Sequence, residues 1–345
     1  MNTMSPIRRD NSTGFTLVEM MIALTVGLFV LGALVAVISS AARSTKTNDQ
    51  TSEMQSNGRY ALGVILRDVE HAGQAGLTPR ATLLSSGLNP TGVVVNNDCD
   101  NTDFSLRLGQ AVEGSDDNNP YSGTCITAAN YSQGDILVVR YADMQTQTAV
   151  SDYTAAPTFS VTNDIYLRSS YAVSKLFQNS VTLPTQVGNG PPMLDQLLKT
   201  YVYYISPDTS AGDGIPALYR LGLIAGVLTP ELVASGIENL QVQYGVVDES
   251  AIPPVTQYLN ACMPGATSVP SAPCVNTWPS TTFPSWTQVK SVRVWLLARN
   301  SDSKGNGGYS NQTSYQMGNV NYVPTVGTND KFRRQLFMTT ISLHN

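Results

Sequence analysis

Residues 14–42, GFTLVEMMIALTVGLFVLGALVAVISSAA, decide the architecture of this chain. Glu19 is the one charge in the stretch, and Met20 to Ala42 is an uncharged, mostly apolar run of 23 residues. About 20 such residues cross a bilayer as a helix. The residues ahead of it are short and polar, with Arg8 and Arg9 against Asp10, and positive flanks stay on the cytoplasmic side. A secretory signal has an apolar core of roughly 7–15 residues before a small-residue cleavage site. Ser40-Ala41-Ala42 offers such a site, but the run is too long for that class. A plain signal anchor fits the length and leaves Glu19 without a reason.

Gly14-Phe15-Thr16-Leu17-Val18-Glu19 resembles the G-F-T-L-x-E signature of type IV pilins and type II secretion pseudopilins. The resemblance implies a leader peptide, residues 1–14, removed by a prepilin peptidase between Gly14 and Phe15, with N-methylation of the new terminal Phe15. It also supplies the physics for Glu19. An ionised carboxylate in the apolar part of a membrane helix costs several kcal/mol unless it finds a partner. The cut creates an α-amino group about 6 Å away along the same helix, at 1.5 Å per residue. A staggered neighbour's amine comes closer still, so Glu19 reads as a subunit-docking charge. The plainer alternative is a glutamate snorkelling to water at headgroup level.

Nothing stops the helix at the membrane edge. No proline lies between Pro6 and Pro79, and Leu62, Ile65, Leu66 and Val69 recur at the spacing of one buried helical face. Arg59, Arg67, Asp68 and Glu70 fall on the other faces. His71 in the last turn and Gly73 just beyond read as a C-terminal stop. The expected helix is 15–72, on the order of 85 Å long, with a transmembrane part at about 15–42 and a second half packed on a head. Gly27 and Gly32 loosen the first half or permit close helix contact. Many major pilins carry a proline in the apolar half; its absence here fits a minor subunit better.

Residues 73–345 form the expected extracytoplasmic head, and their signals are mainly β. Leu240, Val242, Tyr244 and Val246 alternate with Gln241, Gln243 and Gly245, the pattern of a half-buried strand. Stretches 135–141 (DILVVRY), 200–205 (TYVYYI), 291–299 (SVRVWLLAR) and 333–343 are further strand candidates, separated by polar loops at 86–130, 206–216, 249–285 and 300–330. The fold class is α+β, one long helix laid across an antiparallel sheet with large loop insertions. Cys99, Cys125, Cys262 and Cys274 lack C-x-x-C spacing. Behind a membrane-targeting segment they read as two disulfides, with the sequence-local pairs Cys99–Cys125 and Cys262–Cys274 expected among three possible connectivities.

Four blocks, GRYALGVILRDVEHAGQAG at 58–76, ASGIENLQVQYGV at 234–246, SVRVWLLAR at 291–299 and FRRQLFMTTISLHN at 332–345, are similar to PilW-type minor pilins. They cover both ends of the head and leave 77–230 largely unmatched. The resemblance implies a minor pilin held in the inner membrane as a single-pass protein with its head in the periplasm, then carried into a type IV pilus at the cell surface. Implied partners are the prepilin peptidase, the assembly platform, the major pilin and other minor pilins, with a tip adhesin as a further candidate. Twitching motility and cell adhesion are the associated processes. A J-like pseudopilin of type II secretion is the nearest alternative, although such subunits are generally much smaller.

Composition narrows the remaining classes. Charged residues make up 13% of the 345-residue chain, about half the usual share, and the formal net charge is −5. A broad basic nucleic-acid-binding face is therefore not expected. The two histidines, His71 and His344, remove most His-based metal and triad arrangements, and no H-E-x-x-H, G-x-S-x-G, P-loop or G-x-G-x-x-G occurs. A membrane-anchored extracytoplasmic enzyme is the alternative from another class, but no catalytic residue, cofactor or metal is assigned. Asp98, Asp100, Asp103, Glu113, Asp116 and Asp117 against Arg107 offer oxygen ligands for Ca²⁺, yet the EF-hand glycine spacing is missing and solvated turns are the plainer reading. Lys331, Arg333 and Arg334 read as an exposed strand face. Trp278, Trp286 and Trp295 read as packing residues, the first two with a second reading as partner anchors.

Overall fold

A computed structural model describes residues 14–79, 92–100, 103–146, 148–149, 162–178, 192–248, 254–262, 274–275, 285–302, 309–324 and 330–343. The chain divides into two compact units, Met1–Asp49 and Gln50–Asn345. Among the described residues the first unit is purely helical from Leu17 on, as part of helix α1 (Leu17–Glu70). Its apolar side chains, from Leu17 to Ile38, are exposed. A contiguous apolar surface of this extent in one chain calls for lipid or other subunits around it.

The second unit contains the rest of α1 and the strands. In chain order these are β1 (Val112–Ser115), β2 (Ile136–Ala142), β3 (Thr148–Ala149), β4 (Ile165–Ser169), β5 (Ser174–Gln178), β6 (Leu194–Ser206) and β7 (Ala217–Ile224). There follow β8 (Val227–Ser235), β9 (Ile237–Asp248), β10 (Val255–Leu259), β11 (Val289–Arg299), β12 (Tyr315–Met317), β13 (Val320–Tyr322) and β14 (Arg334–Ser342). An eight-stranded sheet is organised on the long β6, whose Leu198–Tyr203 pairs with β2 and whose Leu194–Leu197 pairs with β4. β7 lies along its C-terminal half and carries β8 in turn. A second sheet has the order β10-β9-β11-β14, antiparallel throughout. The hairpin β12–β13 forms a third, two-stranded sheet.

Side-chain alternation assigns each face. Leu240, Val242 and Tyr244 of β9, with Val292, Val294 and Leu296 of β11, turn into one core. Leu137, Val139 and Tyr141 of β2 meet them there, together with Met54, Ala61, Ile65 and Val69 of the helix. The opposite face of the larger sheet is also covered. Ile136, Val138, Val202 and Tyr204 pack under Phe104, Leu106, Leu108, Tyr121 and Ile126. That second core explains why β2 reads as an unbroken apolar run instead of an alternating one. Trp295 and Leu297, on the outer face of β11, are capped by Met317 of the hairpin.

The five expected strands form at β2, β6, β9, β11 and β14, and the α+β class holds. Several expected loops contain more structure than their composition suggested. Stretch 86–130 holds β1 and a 3₁₀ turn at Phe104–Leu106, and much of it is core. Stretch 249–285 contains β10, and 300–330 contains the β12–β13 hairpin. One sheet was expected where two sandwich the helix-bearing core. β4, β5, β7 and β8 went unanticipated, because Arg168, Lys175, Arg220 and Glu231 interrupt their apolar pattern. Arg168 is buried in a bidentate pair with Asp195 at 2.8 and 2.7 Å.

The helix runs Leu17–Glu70, two residues shorter at each end than the expected 15–72, and leaves through a turn at 71–73. Gly73 adopts a left-handed φ of 81°, and its N–H donates to the Arg140 carbonyl at 2.9 Å, delivering the chain onto β2. Upstream, Gly58 lies under Phe337 of β14, and a Cβ at this position would stand 2.2 Å from the ring. Gly58→Val is therefore expected to cost about 1–3 kcal/mol in chemical denaturation. In a Phe337→Ala background the same substitution should cost distinctly less; equal costs in both backgrounds would show that the contact does not set the helix position.

Candidate assembly site

At the start of α1, Thr16 occupies the N-cap position and Glu19 the third helical position. The Thr16 N–H and Oγ1–H both donate to Glu19 Oε2 at 2.9 Å, and the Glu19 N–H donates back to Thr16 Oγ1 at 3.2 Å. This reciprocal arrangement is a capping box, which satisfies donors that the first helical turn leaves orphaned. Phe15, immediately ahead of it, is 90% exposed. The sequence reading placed Glu19 as a charge and missed its capping role, although T-x-x-E before an apolar run is a recognisable signature. Gly14, Phe15 and Glu19 thus stand together at one helix end, on a stretch whose apolar side chains are exposed among the described residues of its unit.

The other end of α1 is fixed to the head by polar contacts spaced along one face. Gln50 Nε2 donates to the Asp302 carbonyl at 3.1 Å, and Asn57 Nδ2 donates to the Ser235 carbonyl at 3.2 Å. Asp68 corrects the sequence reading, which put it on an outer face. It is fully buried. The Tyr203 hydroxyl makes a very short bond to Asp68 Oδ2, the Tyr141 hydroxyl donates to Oδ1 at 3.2 Å, and Arg220 Nη1 donates to Oδ2 at 3.2 Å. Burial and the adjacent carboxylate hold the Tyr203 and Tyr141 hydroxyls well above the usual tyrosine range, so both remain donors. Arg220 also reaches Glu231 at 2.8 Å and stacks on the Tyr201 ring at 4.1 Å. Ile65 and Val69 are buried as expected, while Leu62 and Leu66 flank the core half-buried.

The expected disulfides form, as Cys99–Cys125 and Cys262–Cys274. The first closes the cover over the larger sheet, and the second sits beside a parallel bridge between Ala261 and Val275. The acids of 96–117 separate into different tasks. Asp98 accepts from Ser105 Oγ at 2.7 Å, Asp100 pairs with Arg107 at 2.6 Å, and Glu113 pairs with buried Arg140 at 2.9 Å. Asp98, Asp100 and Asp103 border a polar cleft of about 510 Å³, in which the first two carboxylates are thus already engaged. The C-terminal cations do not form the open face that was expected. Arg334 is bound by Glu238 and Asp330, and Arg333 lies 4.3 Å from the Tyr309 ring centroid. Trp286 packs edge-on against Tyr244 at 4.8 Å, consistent with a packing role; Trp278 and His344 lie outside the described residues.

Comparison with known families joins these two ends. A family model described as Type IV Pilus-assembly protein W matches residues 202–345, and the Prokaryotic N-terminal methylation motif matches residues 9–35. The C-terminal segment 202–345 is thus similar to PilW, and the N-terminal segment 9–35 to the prepilin-type methylation motif. No curated protein and no solved structure matches it. The PilW domain begins within β6 and takes in the whole second sheet, so it includes Tyr203 and Arg220, two of the groups that hold Asp68. The methylation motif takes in the capping box. Together the two matches support a pilin-like role in pilus assembly; the apolar N-terminal helix and the motif fit membrane anchoring, and the motif implies processing by a prepilin peptidase and contact with the assembly machinery.

Removing the helix carboxylate leaves the buried Tyr203 and Tyr141 hydroxyls without their acceptor, while Arg220 keeps Glu231. Asp68→Ala is expected to cost about 2–4 kcal/mol, at roughly 1–3 kcal/mol per buried donor left unmade, read as a lowered denaturant midpoint of the detergent-solubilised chain. An unchanged midpoint would show that the apolar face alone seats the helix.

Proposed function

We propose that this chain is a minor pilin, cut between Gly14 and Phe15, methylated on Phe15, and inserted into a type IV pilus through Glu19. The leader is then 1–14, the assembling helix 15–72, and the β-rich head 73–345. Arg8 and Arg9 keep the leader cytoplasmic and put the head in the periplasm. The observation that carries this reading is the Thr16–Glu19 capping box at the head of an uncovered apolar helix, on a chain with a PilW domain. Before assembly the box gives the carboxylate two donors of its own chain, which lowers the cost of holding it near lipid. Assembly then replaces or supplements them with a neighbour's α-amino group, and a charge-assisted bond is about twice as strong as a neutral one.

In this role the chain is structural and not catalytic. Its helix supplies apolar packing, Glu19 sets axial register, and the head presents surfaces to other minor pilins. A place in the tip complex that primes assembly, with an adhesin as a further partner, follows from the PilW resemblance.

Two substitutions separate the parts of the site. Glu19→Ala removes both cap and charge, while Glu19→Gln keeps the shape of the cap and removes the charge. Both should be cleaved and methylated, and both should be depleted from sheared pilus fractions by about tenfold or more, the equivalent of one lost charge-assisted bond. Intact-mass measurement of the membrane-extracted wild type should give a chain beginning at methylated Phe15. A retained leader, or wild-type pilus content in both variants, would sink the proposal.

A further inference from the structure

β14 forms one edge of the second sheet and pairs with β11 alone. Their register runs unbroken from Ser291–Ser342 to Arg299–Arg334, whereas β11 shifts twice against β9. Just beyond the two ends of β14, the Asn300 N–H donates to the Arg333 carbonyl and the Leu343 N–H donates to the Lys290 carbonyl. In an antiparallel ladder alternate residues face the neighbour, so the odd-numbered residues of β14 bond to β11. The N–H and C=O groups of Leu336, Met338, Thr340 and Ser342 therefore point away from it, and among the described residues no backbone group bonds to them. Met338 is 58% exposed, and Thr340 and Ser342 are exposed as well. An edge of nine residues without proline, lysine or bulge is a template for a further strand. The chain's other edges are guarded: β1 is buried and four residues long, β5 and β10 have five residues each, and β8 is interrupted by Pro230.

We infer that the β14 edge receives an extended, uncharged segment of a different polypeptide, which adds a fifth strand to the four-stranded sheet. Main-chain bonds hold such a segment, and side chains at alternate positions select it. On the outer face the apolar stripe of Trp295, Leu297 and Leu336 leads out to exposed Met338, so apolar side chains of the incoming segment fit there and small or hydroxyl ones fit beside Thr340 and Ser342. The charges nearby are already engaged. Arg334 is held by Glu238 and Asp330, and Arg293, beside Thr340, stacks on the Tyr258 ring at 3.8 Å. A second copy of this chain is a poor source for the segment. Gln50 accepts from Asn300 at the level of Arg333, and Gly58 lies under Phe337. Eight helical residues advance about 12 Å and four strand residues about 13 Å, so helix and strand run the same way. Two β14 edges paired antiparallel, as every ladder of this sheet is, would point the two helices in opposite directions, although both continue into an apolar run that calls for one shared surrounding. The remaining edges of a second copy are too short or interrupted. The inference concerns the head alone and stands apart from the role proposed for Glu19.

Photo-cross-linking of the full-length chain, in the cells that make it, tests this. Met338→p-benzoylphenylalanine should join the chain to a different polypeptide, and mass spectrometry should place the bond in a stretch of alternating apolar residues. Thr340→Pro removes an outward donor and fills the edge, and should cut the yield about tenfold or more, the equivalent of one or two lost hydrogen bonds. Its Tm in detergent should stay close to that of the parent, whereas Thr339→Pro, whose N–H faces β11, should lower it. Thr340→Lys, which puts a charge on the edge, is the second variant and should cut the yield likewise. In the purified chain the amides of Leu336, Met338 and Thr340 should exchange with deuterium faster than those of Phe337, Thr339 and Ile341. The inference is overturned by adducts confined to this chain's own sequence, which would give the edge to a second copy or an internal segment. It is equally overturned by absence of any adduct, by yields that survive both Thr340 variants, or by equal exchange along the strand.

Discussion

A carboxylate taken wholly out of water must find its compensation in fixed geometry, and Asp68 does so between two tyrosines and an arginine. That requirement fixes the rotation and axial position of the helix against the head more tightly than apolar packing can. Ile65 and Val69 would tolerate a small slide; a buried charge held by Tyr141, Tyr203 and Arg220 of the sheet would not. Tyr203 and Arg220 stand on β6 and β7, so the same requirement locks the register of the two strands on which the larger sheet is built. Gln50 and Asn57 repeat the logic nearer the middle of the helix, each donating to a carbonyl of the head.

With the helix seated this way, both faces of the larger sheet need cover. The helix and the second sheet close one face. The segment from Cys99 to Ile126 closes the other, held by its disulfide and by Arg140, which is buried between Glu113 and the Phe104 ring. The PilW match starts at residue 202, inside β6, and this cover lies wholly outside it. The matched segment thus contributes the second sheet together with β7, β8 and the end of β6, while β1 to β5 and the cover come from the residues ahead of it.

The membrane helix, its end at Gly73, the five central strands and both disulfide pairs were legible because each rests on local pattern. Apolar run, helix stop and strict alternation are written in consecutive residues. The cover over the larger sheet was not legible, since Phe104, Leu106, Leu108 and Ile126 are scattered among polar residues and only become a core when β2 and β6 lie beneath them. Asp68 escaped for a similar reason: besides the adjacent Arg67, its partners Tyr141, Tyr203 and Arg220 come from residues 73 to 152 positions away. The basic C-terminal group was misread because Glu238, a neighbour only across the second sheet, neutralises Arg334. At the helix start, the glutamate's local bond to Thr16 was open to reading and was passed over in favour of its charge.

The contact between Gly58 and Phe337 has a bearing on biogenesis. The amphipathic half of the helix leaves the ribosome long before Phe337 of β14, which forms one wall of its seat. Until β14 is made, that half has no complete place to bury itself, and exposed apolar surface of this kind invites misassociation. The spine of the head therefore stays undocked through the synthesis of every strand between β1 and β14.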